Sequence, residues 1–189
     1  MPMVPVDQLK SLGYRVEIEE IGEVPDSYWD HLHKIDLEDN FKTKRYVSQL
    51  SYNYRLQMKS NGYFPTVEIH ILKDEGKKYP RIAGTIKLTQ ADRDVWHTYY
   101  SRADHGLGPT LYDIAIKYVS YRNGRLISHS TAKERYPWMP YSQGENTPDS
   151  QRVWDKYKER EDMVGDASSG IKTKEPQVED PYDTYKEIA

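Results

Sequence analysis

Val95-Trp96-His97-Thr98-Tyr99-Tyr100-Ser101-Arg102-Ala103-Asp104-His105-Gly106-Leu107-Gly108-Pro109-Thr110-Leu111-Tyr112-Asp113-Ile114-Ala115 is the stretch on which the fold turns. Its first part, Val95 to Tyr100, reads as a strand. Val95, His97 and Tyr99 fall on one face, and Trp96, Thr98 and Tyr100 on the other. The glycine-containing run Asp104 to Gly108 interrupts the alternation. After it, Leu111, Ile114, Ala115, Tyr118 and Val119 recur at i, i+3, i+4, i+7 and i+8, the period of an amphipathic helix. Asn123-Gly124 closes that helix, and Leu126-Ile127-Ser128 is a short strand. Strand, helix and strand in this order make a βαβ unit, whose two strands run parallel.

Upstream, Val67, Ile69 and Ile71 make one strand, and Ile82, Gly84, Ile86 and Leu88 another. The charged run Lys73 to Pro80, with Gly76, joins them as a hairpin loop, so these strands are antiparallel. Tyr14, Val16 and Ile18 alternate with Arg15, Glu17 and Glu19, which predicts a first half-buried strand over Tyr14 to Ile21. Two helices are expected between it and the hairpin. One opens at Pro25-Asp26-Ser27 with Tyr28, Leu32 and Ile35 on one face. The other runs from about Asn40 to Asn61-Gly62 with Val47, Leu50, Tyr54 and Met58 on its stripe. Downstream, Ser130 to Glu145 is polar, carries Pro137, Pro140 and Gly144, and reads as a long loop. Thr147-Pro148 starts a last helix, expected to reach about Glu161, with Val153, Trp154 and Tyr157 buried. From Gly165 the periodicity is lost. The expected organisation is one domain over residues 1–163 and an extended polar tail over 164–189, with Tyr182, Tyr185 and Ile188 as its anchors.

The chain has 189 residues and no cysteine. Disulfides, thiolate metal sites and a cysteine nucleophile are excluded together. Lys and Arg number 27 and Asp and Glu 30, a formal charge of −3, so no strong field is offered to nucleic acid or anionic lipid. No apolar run has the length of a membrane span, and Met1-Pro2-Met3-Val4-Pro5 lacks the features of a signal peptide. The expectation is a soluble cytoplasmic protein without nucleic-acid or membrane partners. The 17 tyrosines against 2 phenylalanines suit contact surfaces and half-wet pockets, or simple core filling.

The element order β-α-α-β-β-β-α-β-α resembles the GNAT (general-control-related N-acetyltransferase) superfamily over roughly Tyr14 to Met163. More narrowly, Gly106-Leu107-Gly108-Pro109-Thr110-Leu111-Tyr112-Asp113, with Ser150-Gln151-Arg152-Val153-Trp154 downstream, looks like small GNAT-like proteins of tailed bacteriophages. The resemblance implies an α/β (α+β) fold with a mixed, mostly antiparallel sheet flanked by helices. It also implies acetyl-CoA as cofactor. The strand-loop-helix is the physical core of such a site, because unpaired N–H groups at a helix N-terminus hold a pyrophosphate. His105, Gly106, Leu107, Gly108 and Thr110 form the candidate cradle, and Pro109 offers no N–H. Tyr99 and Ser101 lie on the strand whose free edge would pair with the pantetheine arm. Asp104 stands where the family commonly has glycine, so its carboxylate must turn away from a pyrophosphate.

Direct acetyl transfer needs a base for the amine and an acid for the leaving thiolate. Tyr157 matches the tyrosine that the family uses as acid. The alternative for Tyr157 is a core side chain beside Val153 and Trp154. His97 is the candidate base, with His129 and Glu68 in reserve. The alternative for His97 is a hydrogen-bonded core histidine. No recognised metal-ligand spacing links the histidines, and His31-x-His33 does not share a helical face. Lys42-x-Lys44-Arg45 reads as a solvated helix face. Two functions follow. One is an N-acetyltransferase acting on a primary amine of a protein or small molecule. The other is a non-catalytic GNAT-like structural or host-interaction protein of a phage, in the host cytoplasm or the virion, whose tail and tyrosine-rich surface meet a phage or host partner.

Overall fold

A computed structural model describes residues 3–21, 66–135, 148–166 and 169–182. The two helices expected between Pro25 and Gly62, the Lys42–Arg45 cluster, His31, His33, Tyr185 and Ile188 lie outside the described residues.

Five strands form one open sheet in chain order: β1 (Tyr14–Ile21), β2 (Thr66–Lys73), β3 (Arg81–Asp92), β4 (Val95–Ala103) and β5 (Arg125–Ile127). The first four are antiparallel, and β5 runs parallel to β4. Helix α1 (Gly108–Tyr121) makes the crossover between them. The architecture is therefore mixed α/β with a mostly antiparallel sheet, as the pattern of periods predicts.

The register separates the two faces. Val16, Ile71, Gly84 and Ala103 stand in one row, and Ile18, Ile69, Ile86 and Ser101 in the next. This apolar face carries α1, whose Leu111, Ile114, Ala115 and Tyr118 are buried against it. Gly84 is a place of close approach: a Cβ there would lie 3.0 Å from Leu111 Cδ1 and 3.2 Å from the Ala103 Cβ. The opposite face is polar, with rows Glu17, His70, Thr85, Arg102 and Glu19, Glu68, Lys87, Tyr100.

One expectation about faces is corrected. The β3–β4 ladder slips between Lys87 and Leu88, which face Tyr100 and Thr98, so Tyr99 is the extra residue of a bulge. Beyond it the alternation inverts. Ser101 joins Trp96 and Thr98 on the α1 face, while Tyr100 moves to the polar face, its ring 5.1 Å beneath the Lys87 ammonium.

Two further corrections concern the C-terminal half. Ser130 to Glu145 is not loop throughout: α2 (His129–Arg135) starts there. Ser128 is its cap, its Oγ accepting from the Thr131 N–H at 3.2 Å. Only Thr131 and Ala132 of this seven-residue helix are buried, too few to print a period on the sequence. The final helix α3 (Pro148–Tyr157) ends before Glu161. The segment after Gly165 also folds back on the sheet. A short ladder joins β6 (Met163–Val164) to β7 (Lys172–Thr173), and Ile171 exchanges two backbone hydrogen bonds with Leu126 of β5 at 2.9 and 3.0 Å. Ile171 is 0 % exposed.

Candidate functional site

β5 accompanies β4 only at Val95, Trp96 and His97. It ends at Ile127, and α2 follows beside β4, with the His129 ring 5.9 Å from His97. From Thr98 to Ala103 the β5 side of β4 carries no strand among the described residues, while its other side stays paired with β3. Among the described residues, that side of β4 beyond His97 has no strand paired with it as the chain runs toward the N-terminus of α1.

The loop joining them is built by a few bonds. The Asp104 N–H donates to Ala83 O (2.8 Å), which extends the β3–β4 ladder by one residue. Leu107 N–H donates to Asp104 O (3.1 Å), and Leu111 N–H to Leu107 O (3.0 Å). Gly106 has φ 84, a left-handed conformation that glycine adopts without steric cost. The N–H groups of Gly108 and Thr110 make no backbone hydrogen bond among the described residues, which is the usual state of a helix start. A Cβ on Gly108 would meet nothing within 4 Å, so the approach to this end of α1 is open there.

The loop is also strapped by the N-terminal segment. Val4 N–H donates to Gly106 O at 3.0 Å, and the Thr110 hydroxyl donates to Val4 O. Two members of the expected cradle are therefore corrected. Leu107 has spent its N–H on Asp104 and buries its side chain, and the Thr110 hydroxyl is spent on Val4, leaving only its backbone N–H. His105 is exposed, and Ser101 stands exposed on the strand edge. Asp104 turns toward β3, where Arg81 donates to its carboxylate at 2.7 Å and to Glu75 at 2.9 Å.

The inner wall beside this edge is aromatic. Tyr112, in the second turn of α1, has its hydroxyl 3.5 Å from Ser101 Oγ, and burial pushes its phenol up. Trp154 of α3 meets the Tyr112 ring edge-on at 5.4 Å, and its buried indole Nε1 has no hydrogen-bond partner among the described residues. Nothing in the sequence period marks these two for a site, because both also fit their helices' buried stripes.

Tyr157 and His97 are not brought together. Tyr157 is 4 % exposed, and its hydroxyl donates to Asp113 Oδ1 of α1 at 2.6 Å. Arg160 donates to the same oxygen at 2.6 Å and clamps both oxygens of Asp162 at 2.9 and 2.6 Å. Burial first, and then the Asp113 charge, push the Tyr157 phenol well above its ordinary value. Its proton is held in a buried network, so the geometry matches the core reading of Tyr157 and not the acid. His97 lies on the sheet face away from α1, 0 % exposed, with its ring 5.9 Å from His129 and 6.3 Å from Tyr99. Glu68 is on β2, separated from β4 by β3, so it does not border that side of β4.

The chain matches no protein-family model, no curated protein and no solved structure. Among the described residues, no helix is long and apolar enough to cross a membrane.

Proposed function

We propose that this chain is a GNAT-like N-acetyltransferase that holds acetyl-CoA along β4 beyond His97 and passes the acetyl group to a primary amine by direct attack. One observation carries this reading: among the described residues β5 accompanies β4 only as far as His97, and β4 then leads into the start of α1, where the Gly108 N–H makes no backbone hydrogen bond. Backbone groups of Thr98 to Ala103 would pair with the pantetheine arm as an added strand. The N–H group of Gly108, with the helix dipole, would meet the pyrophosphate, while Thr110 is buried beneath the strap. The Asp104 carboxylate is held against β3 by Arg81, which it shares with Glu75, so it is turned to that strand and partly screened. Ser101, Tyr99, His105 and Gly106 border the path.

The test is thermal melting with and without acetyl-CoA. Cofactor at a hundred times its Kd stabilises the folded state by about 2.7 kcal/mol, which raises Tm by roughly 5–10 °C in a chain of this size. Gly108→Asp fits the open space and favours the helix start, yet it sets a negative charge against the pyrophosphate. It should leave Tm alone or raise it slightly while abolishing the cofactor shift. Absence of any shift in the wild type at millimolar acetyl-CoA overturns the reading.

A second reading is favoured by the burial of Tyr157 and His97: a non-catalytic GNAT-like protein, structural or host-interacting, in which the same scaffold serves as a binding surface. Acetyl-CoA binding with no release of free coenzyme A across a panel of amines would favour it.

A further inference from the structure

The polar face of the sheet carries a group of side chains that neither reading uses. Glu68 and His70 are two residues apart on β2, so on a strand they share a face. Glu19 of β1 stands directly opposite Glu68 in the ladder. One donor atom from each of Glu19, Glu68 and His70 lies within 4.8 Å of the other two. The His70 Nδ1 is 2.9 Å from Thr85 Oγ1 on β3, and its Nε2 is 3.2 Å from Glu68 Oε2.

From this geometry we infer that Glu19, Glu68 and His70 form a binding site for a divalent transition ion of the zinc class, held on the sheet face opposite α1. Bonds of about 2.0–2.1 Å at a tetrahedral angle place neighbouring donors roughly 3.3 Å apart. The His70–Glu68 separation already has that value, and Glu19, exposed at the end of a mobile side chain, has little to travel. With an ion bound, the Thr85 hydroxyl would take the role that an outer partner takes around most metal-bound imidazoles, accepting from Nδ1–H so that Nε2 gives up its proton and turns its lone pair to the ion; without the ion, Nε2–H donates to Glu68. One imidazole and two carboxylates suit Zn²⁺ or Mn²⁺ better than the all-oxygen ions Ca²⁺ and Mg²⁺. The three ligands leave at least one position open to water or to a ligand from solution. The local competitor is Lys87, 3.5 Å from the far oxygen Oε1 of Glu68. It pairs with Oε1, while Oε2 is the oxygen that meets His70 Nε2, and its ammonium lies 5.1 Å from the Tyr100 ring centroid.

The experiment is isothermal titration of the full chain, stripped with chelator, with ZnCl2 alone. One saturable site is expected. His70→Ala should abolish it, and Glu19→Gln should weaken it at least tenfold. Lys87→Met should tighten it several-fold by removing the competing cation. The double variant His31→Ala/His33→Ala should bind as the wild type does, which separates this site from adventitious capture by the other paired histidines. Should His70→Ala fail to fold, as judged by far-UV circular dichroism, Glu19→Gln alone decides, since that side chain is exposed. No saturable binding below millimolar zinc overturns the inference, and so does a Glu19→Gln variant that binds like the wild type. Either result leaves an ion-pair network of His70, the two glutamates and Lys87. The acetyl-CoA melting test is independent of every one of these outcomes.

Discussion

Asp113 is doubly committed, since one of its oxygens accepts from both the Tyr157 hydroxyl and the Arg160 guanidinium. Tyr157→Phe removes one neutral donor and leaves the carboxylate paired, so it should cost about 1–1.5 kcal/mol in urea denaturation. Asp113→Ala strands the buried Tyr157 hydroxyl and leaves Arg160 with Asp162 alone, and should cost clearly more than Tyr157→Phe. The double variant should cost less than the sum, because the two act in one network. Asp162 gives this cluster a pH signature. Its hydrogen bonds to Arg160 hold its carboxyl below the ordinary value of 3.8. A depressed carboxyl contributes stability above the unfolded value and loses it as pH falls through the folded one. The Tm difference between the wild type and Asp162→Asn should therefore be constant near neutrality and close below about pH 4. A gap that persists unchanged at pH 2 would contradict the pairing.

Among the elements, the ends of α1 are the points most sensitive to backbone change. Gly106→Ala forces a side chain into φ 84 and should destabilise by about 1–2 kcal/mol. At the other end, Asn123 has φ 58, and Gly124 lets Trp96 approach. A Cβ on Gly124 would lie 3.0 Å from the Trp96 ring and 3.1 Å from Val119 O, so Gly124→Ala should cost about 1–3 kcal/mol, read from the denaturation midpoint. These turns are legible from residue type alone, since Gly and Asn-Gly are the residues that accept left-handed backbone. The bulge at Tyr99 is not. It is a mismatch between two strands, and neither strand's sequence contains it. For the same reason the alternation of β4 gives Tyr100 and Ser101 the wrong faces.

At the scale of the whole molecule, the described residues 169–182 belong to the fold. Ile171 is buried against β5, the Ser120 hydroxyl of α1 accepts from Thr173 N–H at 3.0 Å, and Arg122 joins Glu20 of β1 to Asp180. Arg122 also lies over the Tyr118 ring, 3.7 Å from its centroid. Ile171→Ala should cost about 2–4 kcal/mol, the range for emptying a core aliphatic site. Deleting residues 165–189 should lower Tm even in the absence of any partner. A truncated chain as stable as the full one would contradict the buried position of Ile171.

Periodicity was enough to place the five strands of the main sheet, α1 and the parallel pair flanking it, because burial of one face leaves a repeat of two or 3.6 residues in any chain that folds this way; it did not announce β6 or β7. Glycine placement likewise announced the loop at the head of α1. What needed three dimensions was every relation between groups distant in sequence. Tyr157 and Asp113 are 44 residues apart, and their bond turns an expected acid into a core tyrosine. Glu19 meets Glu68 only because β1 lies beside β2, and Ile171 meets Leu126 only because the chain returns to the sheet edge. A linear chain records which side chains prefer to leave water; which of them then become neighbours is set by strand register and chain return, and these are properties of the packed whole.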